Sequence, residues 1–292
     1  DILLNIAPDT YEGYVVIERG EKVLYVEVLK AIYGMLQSAL LWYNKFRTDL
    51  EEQGFKFNPY DTCVATTIVN GKQQTIRFHV DDLMSSHKDK NVNDKFLKWL
   101  NQKYGEFGEV KATRGDEHIY LGMKLRFTQE REVEIDMIDY VKEMLREFPI
   151  KFNKNMSPGS PAGVDMFNPD NSKKLDEKER EMFHRMTAKA LFLCKRARPD
   201  IQPIVSVLCT RVKSPGTKDW NKLVRMMKYL YGTADDKLII SADNGIFGVE
   251  WYVDAAFAVH PDFKSHTGAT MNFKKGKGAV ISISAKQKLN TT

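Results

Sequence analysis

Residues 62–87 read TCVATTIVNGKQQTIRFHVDDLMSSH, and they determine much of the N-terminal fold. The runs on either side of Asn70-Gly71 are rich in β-branched residues and predict two strands joined by a tight hairpin turn. A third short strand, Leu83 to His87, follows directly after Asp81-Asp82. The sequence therefore predicts that both carboxylates lie at a tight turn between two strands.

Two adjacent carboxylates at a turn repel each other, a cost that a purely structural turn could avoid with Asn-Gly. A nearby cation would relieve this repulsion. Hard ions such as Mg²⁺ take oxygen ligands from one or two carboxylates and from substrate phosphates. The pair therefore indicates a nucleotidyl-transfer site. The hairpin alone leaves one alternative open, an Asp-Asp pair in a solvated turn.

Further strands and helices are predicted on both sides of this hairpin. The alternating run KVLYVEV predicts a strand over 22–28, and Tyr43, Phe46 and Leu50 recur at helical spacing. After the hairpin, a helix is predicted over Val92 to Tyr104. The runs YLGMKLRF and REVEIDM then predict a pair of strands, and a helix follows them.

The C-terminal half changes character after residues 153–172, which are rich in Pro, Gly, Ser and Asn and predict a linker. Three amphipathic helices are predicted beyond it, separated by Pro199 and Pro215-Gly216. The last part, from about Val249, again has the pattern of strands. The predicted order is mixed strands and helices, then helices, then strands.

Residues 30–43 read KAIYGMLQSALLWY. Together with the following VDD hairpin, this stretch closely resembles the reverse transcriptase of Ty1/copia-type long-terminal-repeat retrotransposons. That family's pattern runs K-A-L-Y-G-L-K-Q-x-x-x-x-W-Y before an xVDD hairpin. The resemblance continues in order over essentially the whole chain. Its further segments are Gly54-Phe55, Asp61 to Val64, Tyr120 to Met123, Arg198 to Ile201, and Tyr229 to Thr233.

The resemblance implies an α+β fold with the parts of a right-hand polymerase. Residues 1–152 would form the palm and fingers, 153–172 a linker, and 173–245 a helical thumb-like or connection-like region. Residues 246–292 would be the truncated N-terminal part of a ribonuclease H-like α/β domain. The implied activity is RNA-directed DNA polymerase, acting on an RNA template, a DNA primer, an RNA–DNA hybrid and dNTPs.

The resemblance also implies roles for individual residues. Asp81 and Asp82 would be the catalytic aspartates that bind two metal ions, Mg²⁺ or Mn²⁺. Residues implied to contact the nucleotide or template are Gln37, Tyr33 and Gly34; an ordinary polar residue at a helix start is the alternative for Gln37. Residues implied to pack under the primer terminus are Tyr120, Leu121, Gly122 and Met123, with a plain strand containing a glycine as the alternative.

The chain departs from the family pattern near both ends. The third polymerase carboxylate belongs to a D-x-x-x-A-F-L strand, and the upstream acids Asp1, Asp9 and Glu27 do not lie in that pattern. At the other end, YVDAAF resembles the first ribonuclease H strand and makes Asp254 a metal ligand, with a strand-end Asp as the alternative. A T-E-A-E helix carrying the remaining acids would begin just past Thr292. We therefore expect a polyprotein fragment cut at both ends.

Positive charge is concentrated in the C-terminal half of the chain. Its net charge is +5, and residues 195–228 contain nine Lys or Arg against two Asp. Clustered cations suit a nucleic-acid backbone, although a solvated lysine-rich face is the alternative. The cations predicted to contact that backbone are Lys195, Arg196, Arg198, Arg211 and Lys213.

Other classes of protein fit the sequence less well. It contains no GxxxxGK[ST], GxSxG or GxGxxG motif. Three widely spaced cysteines predict reduced thiols and an intracellular protein, and no apolar run approaches the roughly 20 residues that span a bilayer. The family implies a cytoplasmic virus-like particle with a nuclear stage, and other parts of the same polyprotein as partners. A decayed or domesticated remnant, binding nucleic acid without polymerising, is the alternative function.

Overall fold

The computed structural model describes residues 2–25, 27, 32, 34–241, 248–273 and 277–288. Contacts divide the chain into two compact units, Asp1–Val110 and Lys111–Thr292, and each is described by itself. The chain is a mixture of helices and antiparallel strands, which is compatible with the predicted α+β class. This division falls at a different place from the predicted linker, and the domain limits given above stay a prediction.

The helices and strands have the following bounds. The helices are α1 (Ile2–Ile6), α2 (Pro8–Tyr11), α3 (Leu36–Glu52), α4 (Lys90–Tyr104), α5 (Ile138–Glu147), α6 (Glu177–Cys194), α7 (Gln202–Cys209) and α8 (Thr217–Gly232). The strands of the first unit are β1 (Val15–Glu18), β2 (Glu21–Leu24), β3 (Lys56–Phe57), β4 (Val64–Val69), β5 (Lys72–His79) and β6 (Asp82–Ser86). Those of the second are β7 (Glu117–Tyr120), β8 (Met123–Phe127), β9 (Glu132–Asp136), β10 (Leu238–Ser241), β11 (Glu250–Ala256), β12 (His266–Asn272) and β13 (Ile281–Lys286).

The first unit packs an antiparallel sheet, in the order β3-β4-β5-β6, against α3 and α4. Ile76 and Phe78, two residues apart on β5, are buried against Phe46 of α3 and Phe96 of α4. This spacing puts them on one face of the sheet, because side chains alternate along a strand. The opposite face is left open to solvent at Arg77.

The predicted hairpin and helices of this unit are confirmed. Asn70 and Gly71 join β4 to β5 with φ of 52° and 69°, the left-handed pair that a two-residue turn of this type requires. The strand predicted over 22–28 is shorter, since β2 ends at Leu24. Val26 and Val28 lie outside the described residues.

The second unit contains two antiparallel sheets and the four helices α5 to α8. One sheet has the order β10-β9-β8-β7 and the other β11-β12-β13. A single apolar core joins Val141 and Met144 of α5 to Phe183 and Met186 of α6 and to residues of α7 and α8. Residues before and after 153–172 therefore share one core.

Two features of this unit differ from the sequence prediction. YLGMKLRF was predicted to be one strand, but Leu121 and Gly122 have φ of 51° and 76° and make a tight turn between β7 and β8. Such φ values cannot continue a strand. In addition, β10 adds to the edge of β9, a pairing across about a hundred residues that local patterns do not reveal.

No helix among the described residues is both long enough and apolar enough to span a bilayer.

Candidate active site

The Asp81-Asp82 hairpin contains a strained turn. His79 of β5 pairs directly with Asp82 of β6, so Val80 and Asp81 form a two-residue loop. Val80 has φ of 55°, a left-handed conformation that is rare for a β-branched residue and costs about 1–3 kcal/mol. Such strain persists only where neighbouring contacts hold the turn in place.

Trp42 of α3 supplies such a contact. Its indole Nε1 donates a hydrogen bond to the Val80 carbonyl oxygen at 2.7 Å. The Trp42 ring stacks on Phe46 with a centroid distance of 5.5 Å, and Phe46 in turn meets Phe78 of β5 edge-to-face at 4.9 Å. The turn is therefore tied to the core of the unit through one aromatic side chain. Trp42 belongs to the W-Y pair of the matching motif, but no sequence pattern predicted this role for it.

The buried carboxylate of Asp49 supports Trp42 indirectly, through Tyr104. Tyr104, whose ring meets Trp42 at 5.2 Å, donates its hydroxyl to Asp49. Asp49 also pairs with Lys45 at 3.0 Å and Lys103 at 2.9 Å. Burial raises the pKa of Asp49, but the hydrogen bonds from Tyr104, Lys103 and Lys45 outweigh it and lower that pKa. The ionised carboxylate thus links α3 to α4.

Asp81 and Asp82 are both exposed at this fixed turn. An ionised Asp can only accept hydrogen bonds or bind cations, and its oxygens are the ligands that Mg²⁺ and Mn²⁺ prefer. The donor set therefore fits such ions. Among the described residues, no group of three His, Cys, Asp or Glu could hold a metal ion, so a bound ion would need further oxygen ligands from elsewhere.

The start of α3 carries the residues predicted to contact the nucleotide. Gly34 has φ of 92°, a conformation suited to glycine, and the chain turns there into α3. Gln37 is exposed in the first turn of the helix, about 7.5 Å of helical rise from Trp42. Tyr33 lies outside the described residues.

Trp42→Phe tests the anchoring of the turn. Phenylalanine keeps an aromatic ring at this position, although a smaller one, and removes the indole donor, so the Val80 carbonyl loses its partner. We expect the free energy of unfolding to fall by about 1–2 kcal/mol, the usual cost of removing one hydrogen-bond partner. Urea denaturation measures this change. Trp99→Phe is the control for an equal loss of ring size, and an equal effect of the two substitutions would contradict the anchoring role.

The segment predicted to lie near the primer is the turn between β7 and β8. Arg196, two residues after the end of α6, fixes it: its Nε donates to the Leu121 carbonyl at 3.3 Å, and its guanidinium lies 3.5 Å from the Phe192 ring centroid. The same Phe192 ring would lie 3.6 Å from a Cβ built on Gly122. A Cβ at that position would be in ordinary van der Waals contact with the ring, so it is the φ of 76° that favours glycine there. The alternative of a plain strand containing a glycine does not fit this turn, and the place of the segment near the primer stays a prediction.

The predicted basic cluster is only partly on the surface. Lys195 and Lys213 are exposed. Arg198 is buried, with 4% of its side chain exposed, and binds the Asp200 carboxylate at 2.7 Å and the Thr233 carbonyl at 2.8 Å. Its guanidinium is a structural group of the core, so the backbone-contact role predicted for Arg198 is wrong. Arg211 is half-buried, and its Nε has no partner among the described residues.

Asp254 lies on the outer strand of the three-stranded sheet. It is exposed on β11 and stands opposite Gly268 of β12. One carboxylate oxygen accepts a hydrogen bond from the Ala255 amide at 2.9 Å. Because Gly268 has no side chain, the space beside Asp254 on this face is open.

A chain of hydrogen bonds, buried at its two histidines, crosses the same sheet, and no sequence pattern predicted it. His260 Nε2 lies 3.0 Å from His266 Nδ1, and His266 Nε2 lies 2.8 Å from Ser284 Oγ. Ser284 reaches Ser206 of α7 at 3.4 Å, and Ser206 donates to the Pro203 carbonyl at 2.7 Å. With both histidines neutral, each member can donate to the next. The chain thus joins the sheet to α7.

This chain predicts a pH dependence of stability. Burial lowers the pKa of both His260 and His266, assisted by Lys286 for His260 and by His260 for His266. Below the ordinary histidine pKa of about 6.5, the unfolded chain binds protons that the folded chain rejects. We therefore expect the free energy of unfolding to fall as the pH drops from 7 to 5.

Urea denaturation at a series of pH values measures this effect. The double substitution His260→Gln and His266→Gln should flatten the dependence over this interval. An unchanged slope in the double variant would contradict the role given to the pair.

Comparison with known proteins places the chain among retroelement sequences. It is 26% identical over 282 residues to the Retrovirus-related Pol polyprotein from transposon TNT 1-94 of Nicotiana tabacum, covering 94% of the chain and 21% of that protein. It is 22% identical over 260 residues to the Transposon Ty1-NL2 Gag-Pol polyprotein of Saccharomyces cerevisiae, covering 83% of the chain and 14% of that protein. The Truncated transposon Ty1-A Gag-Pol polyprotein of the same yeast is 23% identical, with 83% and 21% covered.

The chain therefore spans about a fifth or less of the length of these relatives. No family model matches it, and no solved structure matches it.

Proposed function

Because this chain is homologous to the Pol polyproteins of Ty1/copia-type retrotransposons, we propose that it is a reverse-transcriptase segment. It would belong to an RNA- and DNA-templated DNA polymerase and continue into the start of a ribonuclease H-like domain. One observation carries the proposal: two adjacent exposed carboxylates sit on a strained hairpin that Trp42 holds to α3. A turn of this kind fixes the carboxylates in place before a substrate arrives.

Asp81 and Asp82 would hold two divalent ions, Mg²⁺ or Mn²⁺, together with phosphate oxygens of the incoming nucleotide. When bound, such ions neutralise charge on the attacking and leaving oxygens of an in-line displacement. The protein's own contribution is positioning. The Trp42 hydrogen bond and the β5–β6 pairing keep both carboxylates at one place, so little reorganisation is needed during the reaction.

The partners follow from the same proposal. The RNA template, DNA primer and dNTPs would meet the open side of the hairpin, with Gln37 and Gly34 at the start of α3 contacting the nucleotide. In the second unit, Tyr120 to Met123 would lie near the primer, and Asp254 would bind a metal ion opposite Gly268. The exposed cations Lys195 and Lys213 would contact the phosphate backbone of an RNA–DNA hybrid.

A primer-extension assay tests the function. A Pol polypeptide containing these 292 residues is given poly(rA)/oligo(dT), dTTP and Mg²⁺ or Mn²⁺. We expect template-dependent extension of the primer. Absence of extension in a folded polypeptide that binds the duplex would reject the polymerase proposal.

The second candidate function is nucleic-acid binding without polymerisation, which the exposed cations Lys195 and Lys213 favour. The two candidate functions predict different effects of the Asp81 carboxylate on DNA synthesis. A binding protein would retain full duplex affinity and make no DNA, whether or not Asp81 is intact.

Nucleic-acid binding itself is tested by a salt titration. If exposed cations contact the backbone, the logarithm of the binding constant should fall steeply and linearly with the logarithm of salt concentration. Filter binding of the chain to an RNA–DNA hybrid measures this slope. A flat response would mean that the lysines form only a solvated face.

A further inference from the structure

Residues 153–172, predicted to be a linker, are packed along α8, and we refer to them as the α8 strap. At the start of the helix, Asp170 accepts a hydrogen bond from the Asp219 amide at 2.9 Å, and its carboxylate fills the place where a side chain on Gly216 would lie. At the end of the helix, Ser157 fills the corresponding place at Gly232. Because neither glycine has a side chain, both leave room for the α8 strap, and the strap packs at a defined place along α8.

The α8 strap contains two Ser-Pro pairs, Ser157-Pro158 and Ser160-Pro161. Both serines are exposed, and Ser-Pro is the dipeptide that proline-directed protein kinases modify. Their surroundings differ. Ser160 faces a cation, since Arg225 Nη2 donates to Ser160 Oγ at 3.4 Å, whereas Ser157 lies against the Gly232 backbone.

Arg225 also has an unused donor at this place. Its Nε is buried and has no hydrogen-bond partner among the described residues. A buried donor without a partner costs about 1–3 kcal/mol, so a native structure is expected to offer it an acceptor. Nε and Nη2 form one edge of the guanidinium fork, which binds carboxylate or phosphate with two parallel hydrogen bonds. Nη2 of this edge is the atom that reaches Ser160 Oγ.

We propose that Ser160 is a phosphorylation site whose phosphate Arg225 binds. A proline-directed serine kinase supplies the reaction and ATP the phosphoryl group. The Ser160 Oγ attacks the γ-phosphorus, the bond from that phosphorus to the β,γ-bridging oxygen breaks, and ADP leaves. The hydroxyl proton passes to a base of the kinase. The product carries a charge of about −1.5 to −2 and three acceptor oxygens beside the guanidinium.

The phosphate would tighten the α8 strap against α8, because it gives Arg225 Nε the acceptor that it lacks. Gly163 lies near the same donor, since a Cβ built on Gly163 would be 3.9 Å from Arg225 Nε, and the Asp165 carboxylate lies beside that glycine. A phosphate on Ser160 would carry a larger negative charge than this carboxylate. Phosphate at Ser157 would instead lie at the Gly232 end of α8, about 10 Å of helical rise from Arg225.

The test uses the full chain with phosphoserine installed at position 160 or, as the matched control, at position 157. Phosphorus NMR follows the second ionisation of each phosphate, which has a pKa of about 6 in an unconstrained phosphoserine. We expect a lower midpoint at position 160 than at 157, because Arg225 favours the dianion. Arg225→Gln should remove the difference, and Arg225→Lys should keep part of it.

Limited trypsin digestion gives a second readout on the same proteins. Phosphate at position 160 should slow cleavage within the α8 strap by roughly three- to tenfold, the effect expected of a charge-assisted pair at a partly exposed site. Phosphate at 157 should not slow it. Equal midpoints at the two positions, or protection that persists in Arg225→Gln, would overturn the proposal.

A kinase reaction completes the test. Treatment of the full chain with a proline-directed serine kinase and Mg-ATP should place phosphate on Ser160, as mapped by mass spectrometry, and Ser160→Ala should abolish that signal. Failure to modify Ser160 in the full chain, while a peptide of residues 153–172 is modified there, would also overturn the proposal.

Discussion

Replacing Asp81 with Asn is expected to reduce DNA synthesis by about 10³-fold, since loss of a metal ligand removes several kcal/mol of transition-state stabilisation and each 1.36 kcal/mol is tenfold. The fold should be unaffected, because Asp81 is exposed in the loop and the hairpin pairing does not use its side chain. Primer extension by a Pol polypeptide containing the chain measures the rate, and urea denaturation measures the stability.

The matched control for this change is Glu106→Gln, which removes one exposed carboxylate from the same unit at a distance from the hairpin in sequence. It should leave the rate within about twofold of the parent, since exposed charges away from a site have small effects. Equal rates for Asp81→Asn and the control would mean that the hairpin is not the catalytic element.

Replacing Arg198 with Met is expected to destabilise the second unit by about 2–3 kcal/mol, because the buried guanidinium donates to the Asp200 carboxylate and to Thr233, and hydrogen bonds to charged groups contribute about 1.5–3 kcal/mol. Arg198 holds Asp200 and bridges to the Thr233 carbonyl at 2.8 Å and hydroxyl at 2.6 Å. The substitution would leave these groups without their donor. Urea denaturation of the chain, followed by a probe in the second unit, measures the loss.

Lys213→Met is the matched control, because it removes a cation from the exposed part of the predicted basic cluster. It should leave stability unchanged and reduce the salt slope of hybrid binding by about 1. Arg198→Met should leave the slope unchanged. The opposite pattern, a reduced slope with unchanged stability in Arg198→Met, would show that Arg198 contacts nucleic acid directly.

Local patterns were sufficient to predict the hairpin and the helices. Asn70-Gly71 predicts its own turn because both residues tolerate positive φ, and the 3.6-residue spacing of Phe46 and Leu50 predicts the buried side of α3. The turn beside Asp81 and Asp82 also follows from sequence, but its place is shifted by one residue. The sequence predicted both carboxylates in the turn, whereas the loop consists of Val80 and Asp81, and Asp82 is the first residue of β6.

What sequence could not predict depends on contacts between distant residues. Trp42 meets Val80 across 38 positions and Arg196 meets Leu121 across 75, and no local pattern encodes such pairs. Arg198 lies in a run rich in Lys and Arg, which is typical of a protein surface, but in the fold it donates hydrogen bonds to Asp200 and Thr233. The α8 strap is rich in Pro and Gly, the composition of a linker. Its packing depends on the two glycines at the ends of α8.

The central claim, that Asp81 and Asp82 hold the catalytic metal ions, is tested most directly by locating a bound ion on the chain. Fe²⁺ substitutes for Mg²⁺ and, with ascorbate and peroxide, cleaves the backbone next to its site. With primer-template and nucleotide present, cleavage is predicted within residues 78–84 of the hairpin and should disappear when Asp81 and Asp82 are both replaced by Asn. Cleavage that avoids this hairpin, or that persists in the double variant, would contradict the account.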